Sequence, residues 1–164
     1  PDNLGEGKLV GTKDNDIYYI LGLALEGLGD DSAEMYSKAA CGESIPAGAM
    51  YYNDQPADMV YYQGKAFGKL GDAAESNKRF YILLDYGERH LNEEMKTDYF
   101  AVSAPDFQIF EGDLKKRNKA HCHYIMGLAY LGMGRADKAK VNLQKTLEIE
   151  PYHQKARIYL RKMK

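Results

Sequence analysis

One pattern occurs three times in this chain, and it leaves few folds open. Ile17-Tyr-Tyr-Ile-Leu-Gly22-Leu-Ala-Leu25 is followed by Leu28-Gly29-Asp30. Met59-Val-Tyr-Tyr-Gln-Gly64-Lys-Ala-Phe67 is followed by Leu70-Gly71-Asp72, and Cys122-His-Tyr-Ile-Met-Gly127-Leu-Ala-Tyr130 by Met133-Gly134-Arg135. Each copy has an apolar stretch, a glycine, an alanine two residues on, a large residue next, and a second glycine seven after the first. A glycine inside a helix costs about 1 kcal/mol relative to alanine, so the first one needs a packing reason, and close approach of a partner helix supplies it. The second falls where a helix C-terminus needs a left-handed residue. Asp30 and Asp72 then suit the start of the following helix. The spacing predicts helical hairpins, repeated.

The third copy carries the fullest signature. Ala120–His153 spans one 34-residue unit with Gly127, Ala129, Tyr130, Gly134, Ala139, Leu143 and Pro151 in place. These residues resemble the tetratricopeptide repeat, with Thr146 standing where that family usually has a small alanine. The second copy has Phe80 at the aromatic position and Ser76 where alanine is usual; the first keeps Ala33 and Ala40 but reads one residue short at its turn. The resemblance implies an all-α, tetratricopeptide-like solenoid of three helical hairpins over residues 1–164, with repeats at about 15–47, 57–90 and 120–153.

The copies are unevenly spaced: Gly22 to Gly64 is 42 residues and Gly64 to Gly127 is 63. The first excess is the helix-hostile stretch Gly42–Pro56. The second is an insertion at about 91–118, whose apolar residues predict a short extra helix near Asp106–Arg117. Pro1–Asp14 reads as extended, and residues from Tyr152 onward as a basic helix capping the array. The strings Asn3–Leu9, Gly48–Pro56, Asp85–Leu91 and Asp98–Ser103 are similar to the C-terminal repeat region of large bacterial proteins. Those proteins carry an uncharacterised conserved upstream domain of carbohydrate-related β-sandwich type. That resemblance implies a piece of a longer polypeptide and carries over no catalytic residue.

In such repeats the first helix of each pair lines the concave face, and tyrosine recurs there at one repeat position: Tyr19, Tyr61 and Tyr124. Tyrosine combines large contact area with few torsions and a polar tip, which suits a binding surface; the same rings can equally pack against neighbouring helices. Lys65 and Lys69 add a small cationic patch, too sparse to clamp a terminal carboxylate. Gly22, Gly29, Gly64, Gly71, Gly127, Gly134, Ala139 and Pro151 are assigned structural roles.

Other constellations point to no chemistry. His121 and His123 diverge by about 200° on a helix, so they cannot chelate one ion from one face, and His123 is read as a core residue. Gly27-Leu-Gly29 lies between helices instead of after a strand, which removes a phosphate-loop reading. The acids Glu93, Glu94, Asp98, Asp106, Glu111 and Asp113 are not spaced as an acid–base pair. Cys41 and Cys122 are read as buried free thiols, which points to a reducing, cytoplasmic setting. A net charge of −2 supplies no broad basic field for nucleic acid, and no apolar run is long enough to span a membrane. The expected function is a non-catalytic protein–protein interaction scaffold, without cofactor or metal. It would bind a polypeptide segment or its own upstream domain on the concave face, with homo-oligomerisation open. The alternative is an accessory carbohydrate-binding module of a carbohydrate-active enzyme.

Overall fold

Glycines of positive φ end several of the helices in this chain, and the computed structural model has seven helices among its described residues. It describes residues 14–46, 56–93 and 111–163 (main chain only for 111–114), with no strand among them. In chain order they are α1 (Asn15–Leu28), α2 (Ala33–Ala39), α3 (Asp58–Lys69), α4 (Ala73–His90), α5 (Glu111–Gly132), α6 (Ala136–Ile149) and α7 (Gln154–Lys162). Every helix packs on the next in sequence, and α3 also packs on α1 and on α5. Among the odd-numbered helices, α3 therefore touches both α1 and α5, while α2, α4 and α6 each bridge the two odd helices that flank them.

The mid-helix glycines explain how each pair closes. A Cβ on Gly22 would lie 2.5 Å from the Tyr36 ring, one on Gly64 would lie 2.5 Å from Phe80, and one on Gly127 would lie 2.8 Å from Leu143. Three first-helix glycines thus receive three large side chains from the following helix, which is the packing reason the spacing required. The second glycines behave as their position demands. Gly29, Gly71 and Gly134 have φ of 82°, 85° and 72°. Behind each, the next amide donates back into the helix: Asp30 N to Leu25 O at 2.9 Å, Asp72 N to Phe67 O at 2.9 Å, and Arg135 N to Tyr130 O at 2.8 Å. This is the six-to-one bond of a Schellman cap. The Asp72 carboxylate then caps α4 by accepting from Glu75 N at 2.9 Å.

The first pair departs from the other two. Gly64 to Phe80 and Gly127 to Leu143 are both sixteen residues, whereas Gly22 to Tyr36 is fourteen, so the first copy is two residues short, not the one expected from its alanines. The deletion falls in the first turn of the second helix, where Asp30–Ser32 stay non-helical and α2 is left with seven residues. Its last carbonyl and two in the segment that follows are satisfied from neighbouring helices. Asn15 Nδ2 donates to Ala39 O at 2.7 Å and Cys41 O at 2.6 Å, and Gln63 Nε2 donates to Glu43 O at 2.8 Å.

Two further expectations change. The separate helix expected near Asp106–Arg117 is, over its described part, the first turns of α5, which runs unbroken from Glu111 through the third repeat. Cys122 is buried as expected, but Cys41 is exposed, because α2 ends before it and leaves it beside the bend at Gly42. Residues 1–13, 47–55, 94–110 and 164 lie outside the described residues. With them lie the N-terminal stretch read from the sequence as extended, most of both insertions, and the strings Asn3–Leu9 and Asp98–Ser103. No helix among the described residues is long and apolar enough to cross a membrane.

The core is divided unequally. The main cluster gathers Val60, Phe80, Leu83, Ile125, Leu128 and Leu143 from α3–α6, with Ala156 of α7. A satellite of Tyr19, Tyr36, Ala39 and Ala66 serves α1 and α2, and Tyr62 packs against both. Gly87 brings α4 against α5, since a Cβ there would meet Met126 at 2.5 Å and the Cys122 carbonyl at 3.0 Å.

Candidate functional site

A cleft of about 300 Å³ opens where α1, α3 and α5 face α7. Tyr19, Ile20 and Leu23 of α1 form one wall, Tyr61, Tyr62 and Lys65 of α3 the floor, Leu131 of α5 one end, and Tyr159 and Lys162 of α7 with Met163 at its C-terminus the far side. The sequence places these groups together because α1 and α3 repeat one register. Position 19 in α1 and position 61 in α3 each lie three residues before their glycine, and α3 packs on α1.

The tyrosines form a connected chain of rings. Tyr36 meets Tyr19 at 5.8 Å between centroids, Tyr19 meets Tyr62 at 5.8 Å, Tyr62 meets Tyr61 at 5.5 Å, and Tyr61 meets Tyr159 at 5.8 Å edge to face. The Tyr159 hydroxyl donates to that of Tyr62 at 3.1 Å. These are tilted and edge-on arrangements of the kind aromatic pairs prefer. Burial raises the phenols: Tyr36 is pushed up to about 12, and Tyr19, Tyr61, Tyr124 and Tyr159 are raised as well, with desolvation the largest cause in each.

At the other end of α7 lies a buried carboxylate. Asp58 is 3% exposed; Lys155 of α7 pairs with it, and the Tyr124 hydroxyl donates to it at 3.4 Å. Tyr124 also stacks on His153 at 4.5 Å, and His153 Nδ1 accepts from Ala156 N at 3.2 Å, capping α7. Burial lowers the His153 imidazole below its ordinary value, which keeps the ring neutral and its Nδ1 an acceptor. Side chains of α7 thus reach past α5 to α3, through Lys155 to Asp58 and through Tyr159 to Tyr62.

The residues expected on an open face divide accordingly. Tyr19, Tyr61 and Tyr124 are 6%, 6% and 4% exposed, so the expected solvent-facing stripe is corrected to a buried one, its rings packed on α2, α3 and α7. Lys65 is half-buried at the cleft. Lys69 points elsewhere: it pairs with Glu26 at 2.7 Å, tying α3 to α1, and Glu26 also accepts from the Tyr36 hydroxyl. The second helix of each pair carries the glycine partners, and Ala139 is fully buried. Pro151 sits in the turn before α7, its carbonyl accepting from Arg157 at 2.5 Å. His123 is half-buried and contacts Asn142 at 3.0 Å through Nδ1, and no group of three or more metal-ligating side chains occurs among the described residues. Sequence reasoning missed Tyr62, Tyr159, Lys162 and Met163. The available signal was the aromatic in the middle of a basic terminal helix, Ile158-Tyr159-Leu160, which a purely solvated cap would not need. No family model and no solved structure matches the chain.

Proposed function

We propose that this chain is a tetratricopeptide-like, non-catalytic scaffold that takes a polypeptide segment into the cleft between α1, α3, α5 and α7. One observation carries the reading: the far side of the cleft is closed by an amphipathic helix of the chain itself, packed against α3. Helix α7 inserts Tyr159 among Tyr61 and Tyr62 and closes a lysine–aspartate pair on α3, which is how an amphipathic segment would dock there. The contact pattern, with α3 on both α1 and α5 and each even helix between two odd ones, supports the solenoid reading. An aromatic floor with Leu23 and Leu131 at its edges supplies apolar area, and Lys65 and Lys162 supply positive charge at the walls. Burial of Tyr19, Tyr61 and Tyr124 favours this reading over sugar stacking, which needs an exposed ring face. The segment bound is supplied by another protein or by another part of the same polypeptide.

The test uses a double variant at the cleft wall, Leu23→Asp with Lys65→Glu, because Leu23 is 40% exposed and neither residue is part of the core. Polypeptides captured by the native chain are identified by mass spectrometry, and the captured segment is then titrated against both proteins. A loss of tenfold or more in affinity, with unchanged circular dichroism, is expected. Equal affinity for both proteins moves the binding surface away from the cleft.

A further inference from the structure

The formal charge of −2 hides a gradient. Residues 14–46 hold seven carboxylates and one lysine, a charge of −6; residues 56–93 come to −1; residues 111–163 hold twelve cations and five carboxylates, a charge of +7. The two ends of the helix order are therefore oppositely charged. Each end also presents apolar surface. On α1, Ile17, Leu21, Ala24 and Leu28 recur at i, i+4, i+7 and i+11, which is one face, and that face is opposite the buried Asn15, Tyr19 and Gly22. Ile17, Leu21 and Leu28 are 59%, 44% and 77% exposed. Asp14 and Asp16 stand at one end of the stripe, Asp30 and Asp31 at the other.

At the opposite end, α6 and α7 enclose a cleft of about 580 Å³ lined by Lys140, Arg157 and Arg161 over Leu160 and Met163. No carboxylate lines it, and Lys140 and Arg161 have no ion-pair partner among the described residues. An apolar stripe bracketed by acids at one end and an apolar-floored cleft rimmed by cations at the other are complementary in both polarity and charge.

We infer that the chain associates with a second copy of itself head to tail, the α1 stripe of one copy entering the α6–α7 cleft of the next. The two surfaces differ, so the contact is heterologous and leaves a free head and a free tail on every oligomer. Opposite charge steers the encounter and fixes its polarity, since head-to-head and tail-to-tail contacts oppose like charges. The inference does not depend on the cleft proposed for polypeptide binding, which shares only Met163 with the α6–α7 cleft and uses other residues of α1 and α7.

The experiment is light scattering on the full chain, with two variants mixed. The tail variant carries Arg157→Glu and Arg161→Glu; the head variant carries Ile17→Lys and Leu21→Lys, both exposed helix positions that tolerate lysine. The native chain is expected to gain mass with concentration at low ionic strength and to revert toward monomer in high salt. Each variant alone is expected to stay monomeric, and an equimolar mixture to form a dimer and stop there, because it holds one intact head and one intact tail. A native chain that stays monomeric, or a tail variant that still self-associates through α1, overturns the inference. If the head variant misfolds by circular dichroism, the tail variant and the salt dependence still decide it.

Discussion

The first and third helix pairs obey the same spacing rule and are built from different matter. In α5–α6 the glycine receives Leu143, and Ile125, Leu128 and Leu143 are fully buried in a core that α4 and α7 also enter. In α1–α2 the glycine receives Tyr36, the buried set is Tyr19, Tyr36, Ala39 and Ala66, and the outer face of α1 is left apolar and exposed. Tyrosine fills that smaller core because its hydroxyl can reach the edge, as Tyr36 does by donating to Glu26. A repeat covered on both sides can use pure hydrocarbon; a terminal repeat covered on one side relies on amphipathic rings and on ties to its neighbour.

The contrast can be broken most severely at the glycine partners. Leu143→Ala should destabilise the whole chain by about 2–5 kcal/mol, since a fully buried leucine loses both transfer energy and packing. Urea denaturation measures it. Tyr36→Ala should act locally, with hydrogen-exchange protection lost over α1 and α2 and kept over α3–α7. A uniform loss in both variants would mean the two clusters form one cooperative unit.

Alkali tests the same division through the phenols. Tyr36, Tyr61, Tyr124 and Tyr159 are all raised above 10.0 in the folded state, so folding favours their neutral form. That contribution is complete below pH 10 and is lost as pH rises from there through the folded values, about 12 for Tyr36 and higher for the others. Above pH 10 the helix signal should fall as tyrosinate absorbance rises, with α1–α2 opening first. Tyrosinate appearing with helices intact would contradict the burial.

A smaller effect is expected in acid at α7. His153 is held below 6.5 by burial, so the neutral ring stabilises the fold above that pH and the contribution is lost as pH falls through it. Protonation turns Nδ1 from acceptor to donor and removes the cap on Ala156 N. Protection of the α7 amides, taken relative to their intrinsic exchange rates, should fall between pH 7 and 5 while that of α5 is kept; equal behaviour of the two helices would dissociate the cap from the titration. The smallest effect is reserved for Lys69→Met. Its ion pair with Glu26 is solvent-exposed, and its loss should leave the denaturation midpoint within error.

Much of this architecture is local and so was readable before any coordinates. Whether a glycine adopts positive φ, where a helix stops, and which residues can sit beneath a close helix crossing depend on neighbours within a turn or two. Gly29, Gly71 and Gly134 accordingly fall where the spacing put them, and so do Phe80 and Leu143. The two-residue deletion in the first pair was harder to read, because tyrosine, leucine and phenylalanine serve one position and only Gly22 against Tyr36 shows which is equivalent. The charge gradient was present in the letters and masked by the net value.

What the sequence determined by itself was the helix pairs of the three repeats, the glycine turns that end their first helices, the glycine-to-large-residue pairing, and a chain with an acidic beginning and a basic end. What only the tertiary structure decided was which faces those helices spend on one another. Tyrosine is amphipathic enough to lie on a surface or in a core, and the choice rests with distant partners. Tyr61 is buried because Tyr159 comes to it from 98 residues away along the chain, and Tyr124 because Asp58 and His153 meet it. Burial is a property of the assembled neighbours, and no short-range rule encodes where α7 comes to rest.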